Sequence, residues 1–63
     1  MNEETAKLLI RGAVAEAGIE AQFNRHLEEL RKHYSGVKAV GEVEQAAYVL
    51  ALSYFAAEIQ NEQ

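Results

Sequence analysis

The stretch EVEQAAYVLALSYFAAEIQ, residues 42–60, decides the fold of this chain. Its first turn carries two glutamates. The run from Ala46 to Ala57 has little polarity and is interrupted only by Ser53. Its composition favours helix, and its apolar residues do not alternate with polar ones as a half-buried strand requires. The apolar run is 12 residues long, whereas a bilayer needs roughly 20. We therefore predict a buried helix in a soluble protein, with no membrane span.

Two apolar seams run along this predicted helix. The seam with coiled-coil spacing of four and three residues, here the Val43 seam, consists of Val43, Ala47, Leu50, Tyr54 and Ala57. The other, here the Tyr48 seam, consists of Tyr48, Leu52, Phe55 and Ile59. A helix that is apolar nearly all round should be buried on most sides, which short helices of one chain cannot achieve. We predict a homodimer with the Tyr48 seam at its interface, because aromatic residues are enriched at interface cores.

The two segments before residue 42 have apolar residues at helical spacing. Asn2 is the predicted N-cap of the first, followed by Glu3 and Glu4 at the positive end of the helix dipole. The apolar face of the first segment comprises Ala6, Leu9, Ile10, Ala13, Val14 and Ala17. That of the second comprises Ile19, Phe23, Leu27, Leu30 and Tyr34. With the Val43 seam packed inward, the predicted core consists of Phe23, Leu27, Leu30, Val43, Leu50 and Tyr54.

Two breaks are expected along the chain, one between the first and second segments and one between the second and third. The apolar faces of the first and second segments differ in phase by roughly 120°, at 100° per residue. The jump falls at Gly18, so we predict a kink or break there; the alternative is one continuous helix showing different faces to different neighbours. Ser35 and Gly36 predict the end of the second helix, because Gly36 is free to adopt the left-handed conformation. Residues 36–41 are then a loop.

The predicted fold class is all-α: a single domain, residues 1–63, of two or three helices packed as a small helical bundle. A chain this short buries only about 60% of the surface that its unfolded form exposes. It has no cysteine, so neither a disulfide nor a thiolate metal site can staple it. Oligomerisation is the usual remaining route to stability, which independently favours the dimer.

Catalytic and metal chemistry find little support in the sequence. His26, Glu29 and His33 lie at metal-compatible helical spacing, but on a charged face without a further ligand, and a solvated face is the favoured interpretation. The aliphatic hydroxyls are those of Thr5, Ser35 and Ser53. No aspartate is present to orient a histidine, and no glycine-rich nucleophile turn or phosphate loop occurs. We predict a protein that is not an enzyme and uses no cofactor or metal.

Nucleic-acid binding would need a basic face. The candidates are Arg25, Arg31, Lys32 and Lys38. The net charge of −4 opposes binding to polyanions, because phosphate contacts supply most non-specific affinity. The charge therefore argues against nucleic acid as a partner, and a solvated charged face is the favoured interpretation.

The run LLIRGAVAEAG, residues 8–18, together with the chain's size, resembles the small accessory proteins that lambdoid phages encode between their exonuclease and excisionase genes. The resemblance covers about the first half of the chain and transfers no functional residue. It implies an early, non-structural phage protein that acts in the host cytoplasm. Such proteins modulate the host or the choice between lysis and lysogeny through protein contacts.

The sequence thus predicts a non-catalytic protein-interaction module that pairs with itself, and the phage resemblance implies a host protein as a second partner. Two alternatives remain at this stage: a small helical DNA-binding regulator and a structural helical subunit of a larger assembly. The acidic opening, Met1 to Glu4, differs from the basic start of a secretory signal. A cytoplasmic location is therefore expected.

Overall fold

The computed structural model describes residues 2–62, which form three α-helices. These are α1 (Glu3–Ala17), α2 (Glu20–Val40) and α3 (Glu42–Asn61). No strand occurs within the described residues, so the predicted all-α class is confirmed. Met1 and Gln63, the two ends of the predicted domain, lie outside the described residues.

Helix α1 begins as its sequence predicts. The Asn2 side chain accepts a hydrogen bond of 2.8 Å from the backbone N–H of Thr5, which satisfies one of the unpaired donors of the first turn. One turn further, the Lys7 ammonium lies 2.7 Å from the Glu3 carboxylate. Its hydrogen bond and its charge lower the pKa of the Glu3 carboxyl. The start of α1 is thus fixed by local polar contacts on the surface.

The predicted break at Gly18 is confirmed. Gly18 has φ +71° and ψ +31°, the left-handed conformation that glycine adopts without steric cost. Its N–H donates to the carbonyl of Ala15 at 3.2 Å, and the N–H of Ile19 donates to that of Val14 at 3.3 Å. These two bonds form a Schellman motif, which satisfies the last carbonyls of α1. The chain therefore turns sharply before α2.

The predicted end of the second helix at Gly36 is wrong, as is the loop over residues 36–41. Helix α2 continues to Val40, and the break lies at Gly41, which has φ +150°. A glycine inside a helix costs only about 1 kcal/mol relative to alanine. Continuing past Gly36 adds hydrogen bonds and half-buries Val37. A single residue, Gly41, therefore connects α2 to α3.

The three helices form a small and open helical bundle. Helix α2 packs against both neighbours, but α1 and α3 do not contact each other within residues 2–62. The radius of gyration is 13.5 Å, against about 11 Å for a compact chain of this length. Val14 is the only buried side chain in the described part of the molecule. Half-buried positions lie along the joints between helices.

The two seams of α3 are reversed from their predicted orientation. Within the chain the Tyr48 seam faces α2, and the Val43 seam faces solvent. Of the predicted core, Phe23 and Leu27 are half-buried and Leu30 lies at the α2–α3 joint, partly exposed. The remaining predicted core residues are exposed in the single chain: Val43, Leu50 and Tyr54. The one-residue connection at Gly41 sets which side of α3 turns towards α2.

Two glycine substitutions test these helix boundaries. Gly18→Ala should destabilise the protein by about 1–2 kcal/mol, because a Cβ is strained in the left-handed conformation. Gly36→Ala should stabilise it by up to about 1 kcal/mol, since no neighbouring side chain or other helix lies within 4 Å of the new Cβ. Urea unfolding followed by circular dichroism measures both. A stabilised Gly18→Ala variant, or a Gly36→Ala variant destabilised as much as Gly18→Ala, would contradict the boundaries described above.

Candidate interaction surface

The Val43 seam is the most exposed apolar feature of α3. Val43, Leu50 and Tyr54 are 82%, 71% and 72% exposed, respectively. Their four- and three-residue spacing aligns them on one side of the helix, with Ala47 and Ala57 in the same line. No described residue of α1 or α2 covers this side. The result is a straight apolar stripe along α3.

The Tyr48 seam supplies the contact between α2 and α3. The Tyr48 ring meets the His33 ring edge-on at a centroid distance of 5.1 Å and lies 5.8 Å from the Tyr34 ring. The Gln45 side-chain amide donates a hydrogen bond to the Tyr34 hydroxyl. This cluster lies near the Gly41 connection and joins the two helices at that end.

Farther from Gly41, the same seam lines an open groove between α2 and α3. The groove has a volume of about 600 Å³. Its α3 wall carries Leu52, Phe55 and Ile59, which are 41%, 58% and 42% exposed. Its α2 wall carries His26, Glu29, Leu30 and His33. The Tyr48 seam is therefore only partly covered by α2.

A second exposed apolar area lies on α1. Leu8, Leu9 and Ile10 are all more than half exposed, although sequence spacing placed Leu9 and Ile10 on the inward face. Ile10 lines a small cavity with Phe23 and Leu27 at the α1–α2 joint. Helix α1 therefore covers little of α2.

The accessible surface of the chain shows how much of it the three helices leave uncovered. It is 5613 Å², whereas a compact monomer of 63 residues exposes about 4,000 Å². The excess is roughly 1,600 Å², and a standard protein–protein interface covers about 800 Å² on each partner. The chain thus exposes more surface than a compact folded protein of its size, and large apolar side chains on α1 and α3 are part of it.

The polar candidates from the sequence do not assemble into a chemical site. His26 lies 3.8 Å from Glu29, and His33 instead packs against Tyr48. Among residues 2–62, no three His, Cys, Asp or Glu side chains come together where they could hold a metal ion. The Ser53 hydroxyl donates to the Val49 carbonyl at 3.0 Å, as a serine inside an apolar helix commonly does.

The predicted basic patch is interleaved with acids. Arg31 forms a 2.7 Å ion pair with Glu28 on the exposed side of α2. Glu28 and Glu29 lie in one shallow depression with the basic side chains of that side. The basic residues there are Arg25, Arg31 and Lys32. Acidic neighbours reduce the positive potential that a phosphate backbone would meet.

Sequence reasoning missed the polar half of the α2–α3 joint. Gln45 and Tyr34 are both half-buried and hydrogen-bonded to each other across the two helices. Helical spacing indicates the position of Gln45, because this residue precedes Tyr48 and Leu52 by three and seven residues and so shares their side of α3. Its polarity concealed that it belongs to the inner face.

The chain matches a family of unknown function, DUF8536, over residues 2–63. It belongs to this family. No curated protein and no solved structure matches the chain.

Over the described residues, none of the three helices has both the length and the apolar character that crossing a bilayer demands.

The interleaved charges lead to a prediction about DNA. The protein should show negligible binding to random-sequence duplex DNA at physiological salt, because its net charge is −4 and its basic side chains lie beside glutamates. An electrophoretic mobility shift assay at low-micromolar protein measures this. A shift that weakens steeply with added salt, and weakens further in Arg25→Gln, would refute the prediction.

Proposed function

We propose that this protein is a non-catalytic protein-interaction module that acts as a homodimer. The observation that carries the proposal is the exposed apolar surface of α3 in a chain whose described part has a single buried side chain. Fully burying a leucine is worth roughly 1.5–3 kcal/mol. A second copy that covers the Val43 seam gains burial free energy of this kind at Val43 and Leu50, and further apolar contact at Tyr54.

The dimer surface proposed here is the Val43 seam, not the Tyr48 seam. The Tyr48 seam is partly occupied by α2, through the Tyr48 contacts with His33 and Tyr34. The Val43 seam lies on the opposite side of α3 and is free along its length. A two-fold dimer needs only one patch that matches itself, and a straight apolar stripe meets that need.

The α2–α3 groove is the surface we assign to a different protein. It lies on the other side of α3 from the Val43 seam, so dimerisation leaves it open. An apolar floor with a few polar groups at its rim, here His26 and Glu29, suits an apolar segment of a partner. The resemblance to lambdoid phage accessory proteins makes a host protein the proposed partner. The role is then that of an early phage regulator acting in the host cytoplasm.

A pair of lysine substitutions tests the dimer. Leu50→Lys places a charge in the middle of the Val43 seam and should shift the protein from dimer to monomer at micromolar concentration, with loss of helicity. Ala39→Lys adds the same charge on an exposed position of α2 and should leave the dimer intact. Multi-angle light scattering gives the mass and circular dichroism the helicity. A well-folded wild-type monomer, or a fully dimeric Leu50→Lys variant, would defeat the proposed dimer.

A third substitution separates the groove from the dimer surface. Phe55→Lys places a charge in the groove, so the variant should remain dimeric and lose the host partner. The readout is a pull-down from host lysate, with wild type and Ala39→Lys as matched baits. A dissociated Phe55→Lys variant would return the dimer interface to the Tyr48 seam. A variant that retains the wild-type partner would exclude the groove as its binding surface.

A further inference from the structure

We infer that the two copies of α3 pair in antiparallel orientation, with Ala47 beside the partner's Leu50 and Tyr54 beside the partner's Val43. This inference rests on the proposed homodimer and specifies its geometry. Its basis is the order of large and small side chains along the exposed Val43 seam and the position of the charged residues beside it.

The seam has the a and d positions of a coiled coil. Ala47 and Tyr54 occupy the a positions, and Val43, Leu50 and Ala57 occupy the d positions. In a parallel pair, each residue packs beside its own copy. Tyr54 then meets the partner's Tyr54, and the next a layer holds only Ala47 and the partner's Ala47. The Tyr54 layer would hold the helices apart at a distance that the two alanines of the Ala47 layer cannot fill, and voids in an interface lose contact energy.

Antiparallel pairing places a positions beside d positions, which mixes the sizes. With the two-fold axis between Ala47 and Leu50, the layers combine Ala47 with the partner's Leu50 and Tyr54 with the partner's Val43. Each layer occurs twice by symmetry. No layer then consists of two alanines, so the helices can approach evenly along the overlap.

A shifted antiparallel register fits less well. Moving the axis to Leu52 pairs Ala47 with the partner's Ala57 twice and so creates two layers of alanine. It also places Glu44 near the partner's Glu58, where like charges repel. In the register proposed here, Glu44 lies near the partner's Ala51 instead. Size and charge therefore select the same register.

The chain as a whole exposes more surface than a compact monomer, and the Val43 seam is among its most exposed apolar parts. The chain exposes 5613 Å², roughly 1,600 Å² beyond a compact monomer of its length, and a standard dimer needs about half of that excess from each copy. The α3 side involved is not covered by α1 or α2 in the described residues. The pairing therefore displaces no contact within the chain.

Disulfide trapping tests the register, since the natural chain contains no cysteine. The full-length variants Ala47→Cys and Leu50→Cys are mixed in equal amounts in a glutathione redox buffer, and mass spectrometry separates the two homodisulfides from the mixed one. We expect the mixed disulfide in roughly tenfold excess over either homodisulfide, because the dimer raises the effective concentration of that pair alone. Ala39→Cys, on the exposed side of α2, is the control and should form none above the level found in urea.

The outcomes separate the register from the dimer itself. Excess homodisulfides of both variants would show a parallel pair, which overturns this inference and leaves the homodimer standing. A mixed disulfide at the urea level overturns it as well. In that case, light scattering of the wild type decides the rest: a dimer means that another face pairs, and a monomer means that the proposed function also fails.

Discussion

The structure depends on the burial of α3, which the described residues of the chain do not complete. An apolar helix is stable in water only if its sides are covered, and α3 is apolar almost all round. Helix α2 contacts one side of it, and α1 does not reach it within the described residues. The cost of ordering 63 residues must still be met, and hydrophobic burial is the main term that offsets it. The uncovered side of α3 is therefore where the remaining stabilisation has to come from.

Two glycines set the geometry that leaves this side uncovered. Gly18 ends α1 in a left-handed turn, and Gly41 connects α2 to α3 through a single residue with φ +150°. The short connection brings Gln45 and Tyr48 against α2, where they meet Tyr34 and His33. The opposite side of α3 then necessarily points outward. The sequence has one more apolar seam than a single chain can bury. The connection at Gly41 leaves that seam, the Val43 seam, on the outer side of α3.

Local features were predictable from the sequence because their physics is local. The Asn2 cap depends on residues within one turn of the helix, and the Gly18 break follows from the phase difference between the apolar faces of the two segments that flank it. The prediction at Gly36 is wrong because glycine permits a left-handed turn but does not require one. The hydrogen bonds and contacts that α2 gains by continuing to Val40 offset the helical cost of this glycine. The choice between the two seams of α3 could not be made from spacing. Both seams have helical periodicity, and the connection at Gly41 decides which one meets α2. The groove of the candidate site depends on the same tertiary choice.

Concentration-dependent unfolding tests the central claim most directly, since that claim is that a second copy completes the fold. Thermal unfolding of the wild-type chain is followed by circular dichroism over roughly a hundredfold range of protein concentration. Mass action makes the midpoint of a dimer rise with concentration, because unfolding releases two chains. The account predicts a steady rise of this kind. A midpoint that stays constant over the whole range, in a protein that is fully helical at the lowest concentration, would contradict it.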